Sequence, residues 1–202
     1  MNFNPLDTIW DAYRAAEDAF KVSGRVVIFS DNATEKLDGL DDNATEVLKA
    51  VAFAEHKRGL NLLNRVKIIN QSDASNFLKQ SFEIIDDLFV LALWATFERY
   101  IRDFLQEKGE KVREMLPCDF ANVFYQHLSK EIDYWKPEEI LDLFQQSLFK
   151  ENKSKIWLAK DVLYYRNWIA HGKNIQKIPT IVTPKAAYDR LYEIIEVLIA
   201  NR

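Results

Sequence analysis

The sequence predicts an all-α protein, a compact helical bundle with an N-terminal helical extension. Three observations carry that expectation. Glycine and proline number five each among 202 residues, about 5% together where average proteins hold roughly 12%, and sheet-rich folds draw on both for their turns. Hydrophobic residues make up 48% of the chain and include 13 Phe and 5 Trp, ample to bury a core. Apolar residues also recur at helical spacing over several long stretches. A lone cysteine, Cys118, excludes an intramolecular disulfide or a cysteine-rich zinc site. The longest apolar stretch, Leu88 to Phe97, is about half of what crossing a bilayer needs, so no membrane is expected as a partner. Asp7 and Asp11 interrupt the N-terminal apolar residues and no basic start precedes them, which argues against a signal peptide and for the cytoplasm.

Taken in chain order, Asn4 followed by Pro5 reads as an N-cap with proline opening the helix, and Gly24 as its stop. Two copies of Asp-Asn-Ala-Thr-Glu-x-Leu begin at Asp31 and Asp42. Each pairs Asn with a Glu three residues on, so Asn32 with Glu35 and Asn43 with Glu46 read as helix-starting capping boxes. Helical spacing resumes from Thr45 to Ile69. A long helix is then expected from about Ser75 to Lys108, stopped by Gly109. Its stripe comprises Phe77, Ile84, Ile85, Leu88, Leu91, Ala92, Ala95, Ile101 and Leu105. Further helices are expected over Asp119–Glu131, Pro137–Phe149 and Ser154–His171, the last stopped by Gly172. A final helix is capped by Thr183 and opened by Pro184. No linker divides the chain. We read residues 1–202 as a single all-α domain, with 1–72 as a helical extension of unknown role and 73–202 as the core.

Charge is unevenly spread along the chain. From Lys150 to Arg202 ten Lys and Arg face five Asp and Glu, leaving 17 basic and 26 acidic residues before them. A basic C-terminal quarter on an acidic chain is where a polyanion is expected. That quarter contains Tyr164-Tyr165-Arg166-Asn167-Trp168-Ile169-Ala170-His171-Gly172. On a helix Asn167 and His171 are one turn apart on one face, and the long side chain of Arg166 can lean to the same edge. Arginine offers a planar fork for phosphate oxygens. Histidine exchanges a proton near neutral pH, and asparagine donates and accepts at once. Those parts suffice to cleave RNA without a metal or cofactor. A base takes the ribose 2′-hydroxyl proton, the oxygen attacks the adjacent phosphorus, and the guanidinium steadies the added negative charge. The competing reading has Arg166 salt-bridged to Asp161 or Asp189, with His171 merely completing a helix end.

Arg-Asn-x-x-x-His at the end of a helix in an all-α domain resembles the HEPN superfamily, whose motif is Arg, four to six residues, then His, often with Asn directly after the Arg. The run Leu93-Trp94-Ala95-Thr96-Phe97-Glu98-Arg99-Tyr100-Ile101 also resembles the Phe-Glu-x-Tyr helix of several HEPN branches. The resemblance implies a HEPN-like core over residues 73–202 with Arg166, Asn167 and His171 as the catalytic set and Glu98 in support. It also implies a homodimer in which two motifs share one cleft, a metal-independent endoribonuclease acting as a toxin or antiviral effector, and an antitoxin or inhibitor partner. Where related toxins carry a tyrosine modified by a partner nucleotidyltransferase, this chain has Lys173. Lys155, Lys160, Lys173 and Lys177 are the expected RNA contacts, while Trp157 and Trp168, interleaved with them, read as core. The acidic pairs Asp86-Asp87 and Glu138-Glu139 read as solvated or capping. A non-catalytic nucleotide- or RNA-binding module and a helical protein-interaction module are the competing expectations.

Overall fold

The computed structural model describes residues 3–38, 50, 51, 53, 54, 57, 58, 71–115 and 118–202. Among them are six α-helices and no strand. They are α1 (Leu6–Asp38), α2 (Gln71–Glu114), α3 (Cys118–Tyr134), α4 (Pro137–Gln146), α5 (Lys153–Ala170) and α6 (Pro184–Ala200), with a single 3₁₀ turn, Lys150–Asn152, leading into α5. No helix among the described residues is long and apolar enough to cross a membrane.

The chain divides into two compact units, Met1–Asp11 with Asp86–Arg202, and Ala12–Ile85. In the second unit Phe20 meets Phe82 edge-on at 5.9 Å. The first unit carries the main core and the motif helix. The opening residues belong to it because Leu6 is fully buried and Asn4 nearly so. Asn4 donates to Glu196 at 3.2 Å, and Tyr188 donates to Asp7 at 2.7 Å.

Several helix ends form as their residues dictate. Asn4 Oδ1 accepts from the Leu6 amide at 3.1 Å and Thr183 Oγ1 from the Ala186 amide at 3.2 Å, each satisfying a donor that the first helical turn leaves open. Glu139 accepts from the Lys136 amide at 2.9 Å, the return half of a capping box ahead of α4. Two expected glycine stops are not stops. α1 runs through Gly24 and on past Asn32 and Glu35, so the first repeat copy lies inside a helix; the second, at Asn43, lies outside the described residues. α2 runs through Gly109 because the missing side chain serves packing there: a Cβ would stand 3.3 Å from Leu128 Cδ2 and 3.4 Å from Tyr125 Cε2 of α3.

The expected stripe of α2 is also corrected. Of its members only Ile101 is buried, while Phe77, Ile84, Leu88 and Ala95 are exposed. The buried face is Val90, Leu93, Trp94, Phe97, Ile101 and Phe104. The helix is apolar on more than one side, and the largest rings decide which side turns inward. Around it pack Ile140, Leu141 and Phe144 of α4, Ile156, Ala159, Val162 and Leu163 of α5, and Leu191, Ile194, Ile195 and Leu198 of α6, all in one core. α5 is thereby fixed along its first four turns, with its last turn carrying the motif.

Candidate functional site

The motif helix ends in a Schellman turn. The Gly172 amide bonds the Ile169 carbonyl at 3.1 Å and the Lys173 amide bonds the Trp168 carbonyl at 2.9 Å, with Gly172 at a φ of 82°. The expected glycine stop is met here, since only an achiral residue takes that φ at no steric cost. His171 is the cap residue, its amide bonded to the Asn167 carbonyl at 3.0 Å and its side chain exposed. The next residue, Lys173, also has a positive φ, 56°, which for a residue with a Cβ is a strain of about 1 kcal/mol.

Arg166 and Asn167 are half-buried, and Arg166 Nη1 donates to Asn167 Oδ1 at 2.9 Å. With its oxygen so used, the Asn167 amide has its NH2 to offer another acceptor. Arg166 and His171 are five residues apart, about 140° round the helix and ~7.5 Å along it. The two carboxylates that would have tied up Arg166 are engaged elsewhere: Asp161 with Arg190 at 3.6 Å, and Asp189 with Lys185.

An open hollow of about 330 Å³ lies against this end of the helix. Tyr164, Asn167, Trp168 and His171 form its helical wall, and Asn174, Lys177 and Pro179 close it from the following loop. Arg166, bonded to Asn167, is not among the described residues that line it. Trp168 is held edge and face, its Nε1 donating to the Asn174 carbonyl at 2.8 Å and its ring stacking on Tyr165 at 5.7 Å. Tyr164 donates to Glu138 at 2.6 Å, and that hydrogen bond raises its phenol above the usual range. Trp157, expected in the core, is exposed.

Glu98 does not support the motif. Its Oε2 accepts from Trp94 Nε1 and its Oε1 from Arg102, both at 2.9 Å. Arg102 in turn donates to the carbonyls of Ile132 at 2.6 Å and Trp135 at 2.9 Å, so the pair closes the C-terminal end of α3. The physical reason is register: Glu98 follows Trp94 and precedes Arg102 by one turn each, so both lie within its short reach.

The four lysines divide. Lys155 pairs with Glu193 at 3.2 Å, and Lys160, largely covered, pairs with Asp142 at 2.7 Å and Glu138 at 4.0 Å. Lys173 pairs with Asp87 and lies over the Trp168 ring at 5.6 Å. Lys177 lines the hollow. Three of the four thus spend their charge within the fold, on Asp87 of α2, on Asp142 and Glu138 of α4, and on Glu193 of α6 within the basic quarter itself.

Asp87, expected with Asp86 to be solvated or capping, is neither. It is 7% exposed, takes the Tyr165 hydroxyl at 3.1 Å and pairs with Lys173. Burial, with the charge and hydrogen bond of Asp87, pushes the Tyr165 phenol up to about 12. A signal was present: Asp87 falls in the spacing of Val90, Trp94, Phe97, Ile101 and Phe104, and a carboxylate on a buried seam requires a partner. No family model, curated protein or solved structure matches the chain.

Proposed function

We propose that the chain is a metal-independent endoribonuclease of HEPN type, with Arg166, Asn167 and His171 as its working groups. The observation that carries this reading is the exposed His171 at the helix end beside Asn167, whose oxygen is bonded to Arg166 at 2.9 Å. A phosphodiester seated in the hollow meets the histidine and the asparagine NH2 directly. Arg166 reaches it by exchanging the neutral amide oxygen of Asn167 for a charged phosphate oxygen as its acceptor.

In the proposed reaction His171 removes the 2′-hydroxyl proton and the oxygen attacks the neighbouring phosphorus. Arg166 stabilises the five-coordinate species, and the bond to the 5′-oxygen breaks as that oxygen takes a proton. The products are a 2′,3′-cyclic phosphate and a 5′-hydroxyl. Among the described residues that line the hollow His171 is the one histidine; the second proton transfer falls either to the same imidazole in succession or, in a homodimer sharing one cleft, to the His171 of a second copy. The substrate is single-stranded or looped RNA, in which an unpaired ribose can turn for in-line attack. A toxin or defence role, and an inhibitor protein that restrains it, complete the reading.

General base catalysis contributes about 10²–10⁴-fold, so His171→Ala should lower cleavage by that order with the fold intact. Arg166→Ala should act similarly, and EDTA should leave the rate unchanged. RNA fragments ending in a 3′-hydroxyl would refute the mechanism. The alternative is a non-catalytic nucleotide- or RNA-binding or helical protein-interaction module, and the lining of the hollow favours it: two aromatic rings, two amides and a single cation, Lys177, with Arg166 not among the described residues that form it. It predicts salt-sensitive RNA binding that survives His171→Ala, and RNA left whole by the purified protein.

A further inference from the structure

We propose that Asp87 is a positioning residue of the Arg166–Asn167–His171 site, clamping the last turn of the helix that bears it; only the kinetic arm of its test rests on the nuclease reading. Asp87 is 7% exposed, yet both of its oxygens are taken by groups that bracket the motif. Oδ1 accepts from Tyr165 at 3.1 Å, one residue before Arg166, and Oδ2 pairs with Lys173, two residues after His171. Packing alone does not ask for a carboxylate on that seam; an apolar side chain there would fill the space without desolvating a charge.

The backbone of Lys173 points the same way. Gly172 at a φ of 82° and Lys173 at 56° reverse the chain over two residues, which brings the ammonium back onto α2 and over the Trp168 ring. A glycine or asparagine at position 173 would adopt that φ more readily, so the lysine is held there by what its ammonium reaches. The Lys173 amide bonds the Trp168 carbonyl and the His171 amide the Asn167 carbonyl. The ion pair therefore fixes the turn from which the imidazole projects, at a helix end that would otherwise fray.

The test uses the full chain as wild type, Asp87→Asn, Lys173→Gly and Lys173→Arg. Asparagine keeps an oxygen for Tyr165 and removes the charge facing Lys173. Glycine takes a φ of 56° without strain, so losing the arm is separated from losing the fold, and arginine retains the cation. Amide hydrogen exchange at positions 171 to 173, followed by NMR without RNA, should quicken about ten-fold in Asp87→Asn and Lys173→Gly. It should return toward wild type in Lys173→Arg, with α6 unchanged throughout. Unaltered exchange overturns the clamp, whatever happens to RNA.

In cleavage assays the first two variants should lose about ten- to a hundred-fold in kcat at constant KM, as expected when a reacting group is displaced by about 1 Å, and Lys173→Arg should recover. A raised KM at constant kcat in Lys173→Gly, with tighter RNA binding in Asp87→Asn, would make Lys173 an RNA contact and overturn the proposal. A wild type that leaves RNA uncut refutes the nuclease reading, and exchange then decides the clamp alone. Should Asp87→Asn fail to fold, Lys173→Gly carries both readouts.

Discussion

Arg102 gives the clearest quantitative test of the bundle. Its guanidinium donates to the carbonyls of Ile132 and Trp135 at the end of α3 and to Glu98, which also holds Trp94. Arg102→Ala leaves those two carbonyls without their donor at a helix end where no intrahelical partner exists. A hydrogen bond from a charged donor is worth about 1.5 kcal/mol at the low end, so the two together give about 3 kcal/mol. The ion pair itself adds less than about 1 kcal/mol, since both side chains are about one-fifth exposed. For a chain of this length the sum corresponds to a fall in Tm of about 6–16 °C, read by far-UV circular dichroism and checked by urea unfolding. Glu98→Gln leaves one oxygen for two donors and turns an NH2 toward Trp94 Nε1 or Arg102, so it should lower stability by about 1–3 kcal/mol while leaving RNA cleavage within about two-fold. A loss below about 1 kcal/mol in Arg102→Ala would reduce the network to a surface pair. Cleavage abolished in a folded Glu98→Gln would return Glu98 to the site.

Three further outcomes are expected. Gly172→Ala meets open space, so its whole effect is the backbone strain at a φ of 82°, about 1 kcal/mol or roughly 2–4 °C in Tm; an unchanged Tm would deny the Schellman ending. The Tyr165 phenol is raised from 10 to about 12 in the folded state, so its contribution is complete below pH 10 and is lost as pH climbs toward about 12. Tyr165→Phe should therefore flatten the fall in stability across that window in a urea series, and an identical slope would contradict the burial. Lys177→Ala should weaken RNA binding and reduce the salt slope by about one, whereas Lys160→Met should leave binding unchanged, because its charge is already spent on Asp142 and Glu138.

The helical class, the Thr183 and Asn4 caps and the Gly172 stop were legible because each depends on residues within one turn of one another. So was the placement of Asn167 and His171 on one face. What was not legible depended on partners distant in sequence. Gly109 looks like a stop until α3 is seen lying against it. Asp87 looks solvated beside Asp86 until Tyr165 and Lys173, 78 and 86 positions later, are found on it. The number of lysines in the basic quarter says nothing of their partners, and four of them, Lys155, Lys160, Lys173 and Lys185, face carboxylates. The true inward face of α2 was hidden for a different reason: with apolar residues on several sides, spacing alone allowed more than one answer, and only ring size separated them.

The first turn of α1 has a consequence for how this protein can be dissected. Leu6 fills part of the interior that α2 and α6 also fill, and Asn4 and Asp7 are stitched to Glu196 and Tyr188. A fragment begun at residue 73 would retain every member of the Arg-Asn-His set while leaving a leucine-sized void beneath α6, a defect of about 3–5 kcal/mol. The smallest piece of polypeptide able to present the motif intact is therefore discontinuous in sequence. Expression of the C-terminal portion by itself would report on a damaged scaffold, whatever chemistry the motif performs.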